Sequence, residues 1–311
     1  MRIISASDLE EALDYPSLVE RLRGLLRAEA GSPLRQHFDL PDVGEGPATL
    51  LVMPGWFDRR FIGVKVVSVV PANETRGLAT VMGTYLMLDG RSGRPIAVLD
   101  GPVLTRRRTA ATSALAAKYL ARPDSERLLM VGTGAMAPYL IEAFASVRPI
   151  ASVLVWGRSK GKAKRLARSM TRRDLRVEAT DDLEGAVRGA DIITCATLAE
   201  EPLVEGRWLP GGVHLDLVGG FTPAMRETDD EAMRRGRLFV DDRDSAISEA
   251  GDVVQPIAAG VITADDVAGD LGDLVRGLRD GRRYYDQVTI FKSVGTAVAD
   301  LAAGYQALER T

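Results

Sequence analysis

The chain is poor in the residues that most often announce chemistry: one cysteine, two histidines and 5% aromatics among 311 positions. A single cysteine, Cys195, excludes an internal disulfide, and its place in the apolar run Ile192-Ile193-Thr194-Cys195 makes burial its expected state rather than reactivity. No apolar stretch approaches the roughly 18 residues of a membrane span. The net charge of -3 leaves no electrostatic footprint for a nucleic-acid partner. The opening Met1-Arg2-Ile3-Ile4-Ser5 soon meets the acidic Asp8-Leu9-Glu10-Glu11 without a signal-peptide core, so the expectation is a soluble, cytoplasmic protein with no metal site. With 46% hydrophobic and 27% charged residues, the chain can bury one large core or two domains.

What is present starts with Leu128-Leu129-Met130-Val131-Gly132-Thr133-Gly134-Ala135-Met136-Ala137, an apolar strand running into a G-x-G-x-x-A turn. Gly132 permits the tight turn, Gly134 lets backbone N–H groups approach a pyrophosphate, and Ala137 lets the next helix pack closely with its N-terminus toward the phosphates. The turn alone is weak evidence. Its context adds weight: a helix over 138–147, a strand over 152–156, a basic helix over 163–170, a short strand over 175–177, a helical stretch over 183–187, then apolar strands over 191–195, 213–218 and 238–240. Alternation of this kind predicts an α/β, Rossmann-type, doubly wound parallel sheet.

Between Ala143 and Asp174 there is no acidic residue, while Arg158-Ser159-Lys160 directly follows the second strand and further Lys and Arg residues fill the interval. A free ribose 2'-hydroxyl is usually held by an acid at this strand end and a 2'-phosphate by cations. NADPH is therefore the expected cofactor and NADH the second choice.

About 120 residues precede the glycine turn. Strand character over 50–53, 61–70, 84–88 and 96–99 marks an α+β segment, the expected substrate domain. Thr105 reads as the N-cap of a helix over 105–121, which would place Arg106, Arg107 and Arg108 in a first turn that favours acids, so an anion is expected beside at least one of them. A strand over 288–291 and a helix over 295–308 close the chain, and there is no internal repeat.

Thr105 to Leu115, Gly132 to Ala137, Gly219 to Glu227 and Phe291-Lys292-Ser293-Val294-Gly295, in that order, resemble the signatures of the ornithine cyclodeaminase and mu-crystallin family. The resemblance spans nearly the whole chain. It implies a Rossmann domain inserted into a second α+β domain that binds substrate and makes a homodimer. The resulting division is 1–118 for the substrate and dimerisation domain, 119–287 for the nucleotide domain, and 288–311 for a strand and helix returning to the first. By the same resemblance the substrate carboxylate would be held by Arg35, Lys65 and Arg108, with Thr80 near the substrate. Thr109, Ala135, Met136, Thr197, Val218 and Lys292 would join Gly132, Gly134, Arg158, Ser159 and Lys160 around the cofactor. Lys65 stands out without any family, because an unpaired buried ammonium is costly.

One departure matters more than these matches. The family's strand end commonly reads G-A-D-x-P-G, its aspartate being the proposed acid/base of ammonia-releasing cyclodeamination. This chain has Gly219-Gly220-Phe221-Thr222-Pro223-Ala224, with Phe221 at the aspartate position. Cyclodeamination needs an amine deprotonated and ammonia handled. Reduction of a ready-made cyclic iminium needs orientation against a nicotinamide, and Phe221 would then be part of an apolar wall beside a small ring. The sequence around Phe221 is similar to the branch that reduces 1-pyrroline-2-carboxylate to proline and 1-piperideine-2-carboxylate to pipecolate. That is the expected function. No catalytic acid is assigned: Asp216 reads as a buried structural aspartate, His37 as a candidate proton donor, and Lys65 as a possible electrostatic contributor. The alternatives are ornithine or lysine cyclodeaminase, alanine dehydrogenase, and an NADPH-dependent binding protein like mu-crystallin. Retention of Arg35, Lys65 and Arg108 favours a small carboxylate over the last.

Overall fold

Along Phe61–Val69 the residues Gly63, Lys65 and Val67 turn inward, and along Val81–Asp89 Tyr85 and Met87 do the same, so period-two burial gives a sheet with one packed face. In the computed structural model, which describes residues 1–28, 30–43 and 46–311, this sheet comprises β1 (Arg2–Ile4), β2 (Gln36–Leu40), β3 (Ala48–Phe57), β4 (Phe61–Val69), β5 (Val81–Asp89) and β6 (Pro95–Asp100). Their order is β1-β6-β5-β4-β3-β2. Every pair is antiparallel except β1 with β6. Helices α1 (Ala6–Ala12) and α2 (Tyr15–Arg27) pack here with the chain's last helix, Ala297–Arg310. With the start of α3 (Gly101–Leu120) they form one unit, Met1–Thr109 plus Thr296–Thr311.

The second unit, Ala110–Gly295, is built on β7 (Arg127–Val131), β8 (Ser152–Trp156), β9 (Arg176–Ala179), β10 (Ile192–Cys195), β11 (His214–Leu217), β12 (Arg237–Val240), β13 (Val267–Asp270) and β14 (Thr289–Lys292). All pair in parallel, in the order β13-β12-β14-β11-β10-β7-β8-β9. Helices α4 (Ala137–Val147), α5 (Lys160–Met170), α6 (Leu183–Gly189), α7 (Asp230–Arg235), α8 (Arg243–Glu249), α9 (Gly251–Ala258) and α10 (Leu271–Arg276) fill the connections, and the last helix becomes α11. The central strands β7 and β10 are mostly apolar because they are buried on both faces, while their neighbours β11 and β14 also bury His214, Asp216, Thr289 and Lys292. From β7 the chain winds outward through β8 and β9, then returns to β10 on the other side of β7. That reversal leaves a crevice at the carboxyl ends of the strands, where ligands of such sheets bind. The fold class is the one expected, a doubly wound nucleotide sheet inserted into a second α+β unit.

Two expectations are corrected. The strand placed with the returning helix in 288–311 instead inserts between β11 and β12 of the parallel sheet, and the units divide at Thr109/Ala110 and Gly295/Thr296 rather than at 118/119 and 287/288. A short apolar strand carries no mark of the sheet it will join, and here pairing on both sides decides it. Thr105 is not an N-cap either. The α3 helix begins at Gly101, and Asp100 Oδ1 accepts the N–H of Val103 at 2.8 Å, so an acid does stand at the helix start and the three arginines lie beyond the first turn. Arg106 Nε returns to the Pro102 carbonyl at 3.2 Å, and Arg107 pairs with Glu10. Replacing Asp100 by Ala should therefore lower unfolding stability by about 1 kcal/mol in a urea titration. Thr105→Ala should leave it within about 0.5 kcal/mol, and a larger loss for the threonine would restore the later helix start.

Candidate active site

In the first unit, three cationic side chains gather about one buried carboxylate. Lys65, at the centre of β4, is only 3% exposed, and its Nζ lies 2.8 Å from Asp300 of α11. Arg108, on α3, places Nε 2.8 Å from the same carboxylate. Asp300 itself is fully buried. Arg35, half-buried just before β2, is near enough for its charge to act on Lys65. Burial pushes the Lys65 ammonium down to about 8, the neighbouring Arg108 charge works in the same direction, and Asp300 opposes both. Asp300 was not singled out in the sequence. The signal available was an acid inside the small, apolar run Ala297-Val298-Ala299-Asp300-Leu301-Ala302-Ala303. Counting Arg35, three cations face one internal anion, which leaves the cluster positive and suited to a carboxylate. Thr80 is half-buried in the loop before β5, Thr109 is buried one residue beyond Arg108, and His37 is exposed on β2.

The second unit carries a cavity of about 870 Å³ at the carboxyl ends of β7, β8 and β10. Gly132, Gly134, Arg158, Ser159 and Thr197, all expected around a cofactor, line it, with Lys162 and the segment from Ala196 to Leu203. Gly132 has φ +122°, and a Cβ there would lie 2.5 Å from the Ala196 carbonyl oxygen, so only glycine fits. A Cβ on Gly134 would meet nothing within 4 Å, which leaves open space over the turn. The α4 helix begins here with no side-chain cap at Met136, the Ala137 N–H returning to the Gly134 carbonyl at 3.1 Å and Pro138 carrying no N–H. These features fit a dinucleotide: Gly134, Ala135 and Met136 would hold the pyrophosphate, and the walls beyond Gly157 and Thr197 the adenosine.

Val218 follows β11 half-buried, and the glycine pair after it leads to Phe221, which is 44% exposed. Lys292 is fully buried, 3.3 Å from Asp252, and donates to the Gly219 carbonyl oxygen. Its place is beneath the strand-end turn rather than on the cavity wall. Asp216 is buried and takes the Thr194 hydroxyl at 2.6 Å, while burial raises its carboxyl to about 7. It belongs to the core of the sheet, as does Cys195, whose thiol burial pushes up. Burial likewise lowers His214 to about 3, a neutral ring bonded to the Thr289 hydroxyl at 3.0 Å.

A family model described as the ornithine cyclodeaminase/mu-crystallin family matches residues 35–311. The Δ1-pyrroline-2-carboxylate reductase of Paracoccus denitrificans is 40% identical over 303 residues, 95% of each chain. Among solved structures, the Thermococcus litoralis Δ1-pyrroline-2-carboxylate reductase in complex with NADH and L-proline is 32% identical, with a TM-score of 0.93 over 100% of this chain and 97% of its own. An archaeal alanine dehydrogenase dimer with bound NAD is 27% identical, with a TM-score of 0.92 over 100% and 95%.

NADH in the Thermococcus enzyme overturns the expectation of NADPH. The physical reason lies in how the basic strand end is already engaged. Lys160 Nζ pairs with Asp181 at 2.7 Å, an acid supplied by the loop after β9 rather than by the second strand. Ser159 Oγ caps α5 by accepting the Lys162 N–H at 3.3 Å. Two of the three residues assigned to a 2'-phosphate thus have other partners.

The clamp makes a prediction about pH. Lys65 loses its charge as pH rises through about 8, so the KM for a carboxylate substrate should climb on the alkaline side. Asp300→Asn removes the anion that sustains the ammonium and should move that limb about one to three pH units lower. An unmoved limb in a folded Asp300→Asn protein would exclude Lys65 as the titrating group.

Proposed function

The chain belongs to the ornithine cyclodeaminase/mu-crystallin family, and from that membership and the two sites we propose that it reduces cyclic imino acids with NADH, 1-pyrroline-2-carboxylate to L-proline and 1-piperideine-2-carboxylate to L-pipecolate. It is a nicotinamide-dependent oxidoreductase acting on a C=N bond. The observation that carries the reading against cyclodeamination is Phe221, an aromatic side chain at the end of β11 where the deaminating relatives place an acid.

NADH, when bound in the second unit's cavity, supplies the hydride. The rest of the chemistry asks little of proton-transferring side chains. An iminium arrives with its nitrogen already protonated and its carbon electrophilic, so no acid is needed at Phe221. Lys65 and Arg108, with Arg35, hold the ring carboxylate by charge-assisted hydrogen bonds and so fix which face of the ring is presented. Asp300 keeps both buried cations in place. The phenyl ring of Phe221 carries no group that could take or give a proton.

A homodimer accompanies this reading. On the outer face of the first unit's sheet, Pro54, Val64, Leu86 and Val98 stand side by side across four strands, none of them fully buried in the single chain. A contiguous apolar face of this kind seeks a partner, and a second copy supplies a matching one. Val64→Asp should convert the dimer to a monomer in sedimentation. A wild-type protein that sediments as a monomer would remove the assignment.

Purified protein given NADH should consume it with either cyclic imino acid and form the L-amino acid. The decarboxylated imine 1-pyrroline, lacking the clamped group, should react roughly ten- to a hundredfold less efficiently, and Arg108→Ala should impose a similar loss on the carboxylates. With ornithine and NAD, no ammonia should appear above background. Ammonia release at rates comparable to imine reduction would replace the reductase reading with cyclodeamination.

A further inference from the structure

After β10 the chain from Ala196 to Leu203 runs as an irregular segment, yet it forms one wall of the cavity. Such a wall has no ladder of its own to hold it, and its backbone groups need partners elsewhere. Glu227 supplies them at both ends. Its Oε1 accepts the Thr197 N–H at 2.7 Å and the Thr197 hydroxyl at 2.8 Å. Its backbone carbonyl accepts the N–H groups of Leu203 at 2.9 Å and Val204 at 3.0 Å. The adjacent Arg226 N–H reaches the Ala199 carbonyl at 2.7 Å, in the middle of the segment.

Glu227 is fixed in turn. Its own N–H donates to Asp252 Oδ1 at 2.7 Å, and Asp252 faces Lys292 at 3.3 Å. A Cβ on Gly219 would lie 2.4 Å from Glu227 Oε1 and 2.3 Å from the Thr197 carbonyl oxygen, so the strand-end glycine, the carboxylate and the wall are in direct contact. All of these side chains are fully buried except that of Thr197. A buried carboxylate spent on one loop is an expensive device for stability alone, since an apolar contact would serve.

We propose that Glu227 is a positioning residue for the cofactor: it clasps the two ends of the 196–203 wall and so sets the shape of the dinucleotide cavity. The proposal rests on reading that cavity as the NADH site. It assigns Glu227 no contact with the reacting atoms, and Thr197 is the point through which its side chain acts.

The test is direct NADH binding, followed by nucleotide fluorescence on the full chain, for wild type, Glu227→Gln, Thr197→Val, Thr197→Ser and the Glu227→Gln/Thr197→Val double variant. Glu227→Gln passes the Thr197 bonds from a carboxylate to a neutral amide oxygen, and Thr197→Val removes the hydroxyl bond; each should weaken NADH binding up to roughly tenfold. Thr197→Ser, which keeps the hydroxyl, should bind as wild type does. The double variant should lose less than the sum of the two single losses, because both changes act on the Glu227–Thr197 contact. In steady state the loss should fall on the KM for NADH more than on that for the imino acid. Unchanged NADH binding in a folded Glu227→Gln protein, or strictly additive losses in the double variant, would overturn the proposal. If Glu227→Gln does not fold, the threonine pair decides: weaker binding in Thr197→Val restored in Thr197→Ser supports it, and equal binding in both overturns it. A wild-type protein that does not bind NADH would instead strike the cavity reading itself.

Discussion

An ammonium group in the middle of a sheet is tolerable only beside an internal anion, and for Lys65 that anion comes from Asp300, 235 residues further along the chain. Breaking a buried pair by removing one partner costs about 3–5 kcal/mol. The first unit therefore depends on the last helix coming back to it. Its two stretches of chain, Met1–Thr109 and Thr296–Thr311, are tied by this ion pair, and the whole parallel sheet is threaded between them. The same carboxylate steadies Arg108, so the requirement that completes the fold also brings two buried cations together on one anion.

The second unit solves the same problem with different residues. Lys292 ends β14 fully buried, and Asp252 and the Gly219 carbonyl take up its charge. Burial holds the neighbouring Glu227 carboxyl up near 7, with Lys292 drawing it down and Asp252 pushing it up. Because β14 lies between β11 and β12, this lysine arrives under the turn that carries Phe221. A cation that the family resemblance placed near the cofactor is, in the fold, bound up with protein groups.

The cofactor expectation failed for a related reason. A run of cations without an acid along the chain was read as a site for a phosphate, but side chains are satisfied in space. Asp181 reaches Lys160 from the next strand's loop, and Ser159 turns its hydroxyl to the helix behind it. Local charge density states what a segment carries and leaves open what it meets.

By itself the sequence determined the parallel sheet, because strands buried on both faces are largely apolar and helices between them enforce parallel crossovers. It determined the glycine turn, since backbone conformation and close approach at Gly132 admit no side chain. It made Lys65 conspicuous, and Phe221 separated reduction from deamination. The tertiary structure alone decided the partners: Asp300 for Lys65 and Arg108, Asp252 for Lys292, Asp181 for Lys160, and Glu227 for the wall at Thr197. It also decided the sheet that β14 joins and the start of α3 at Gly101, just after Asp100, rather than at Thr105. Periodicity and turn chemistry act between neighbours in the chain and are legible there, whereas ion pairs and strand insertion join residues tens to hundreds of positions apart and exist only once the chain has folded.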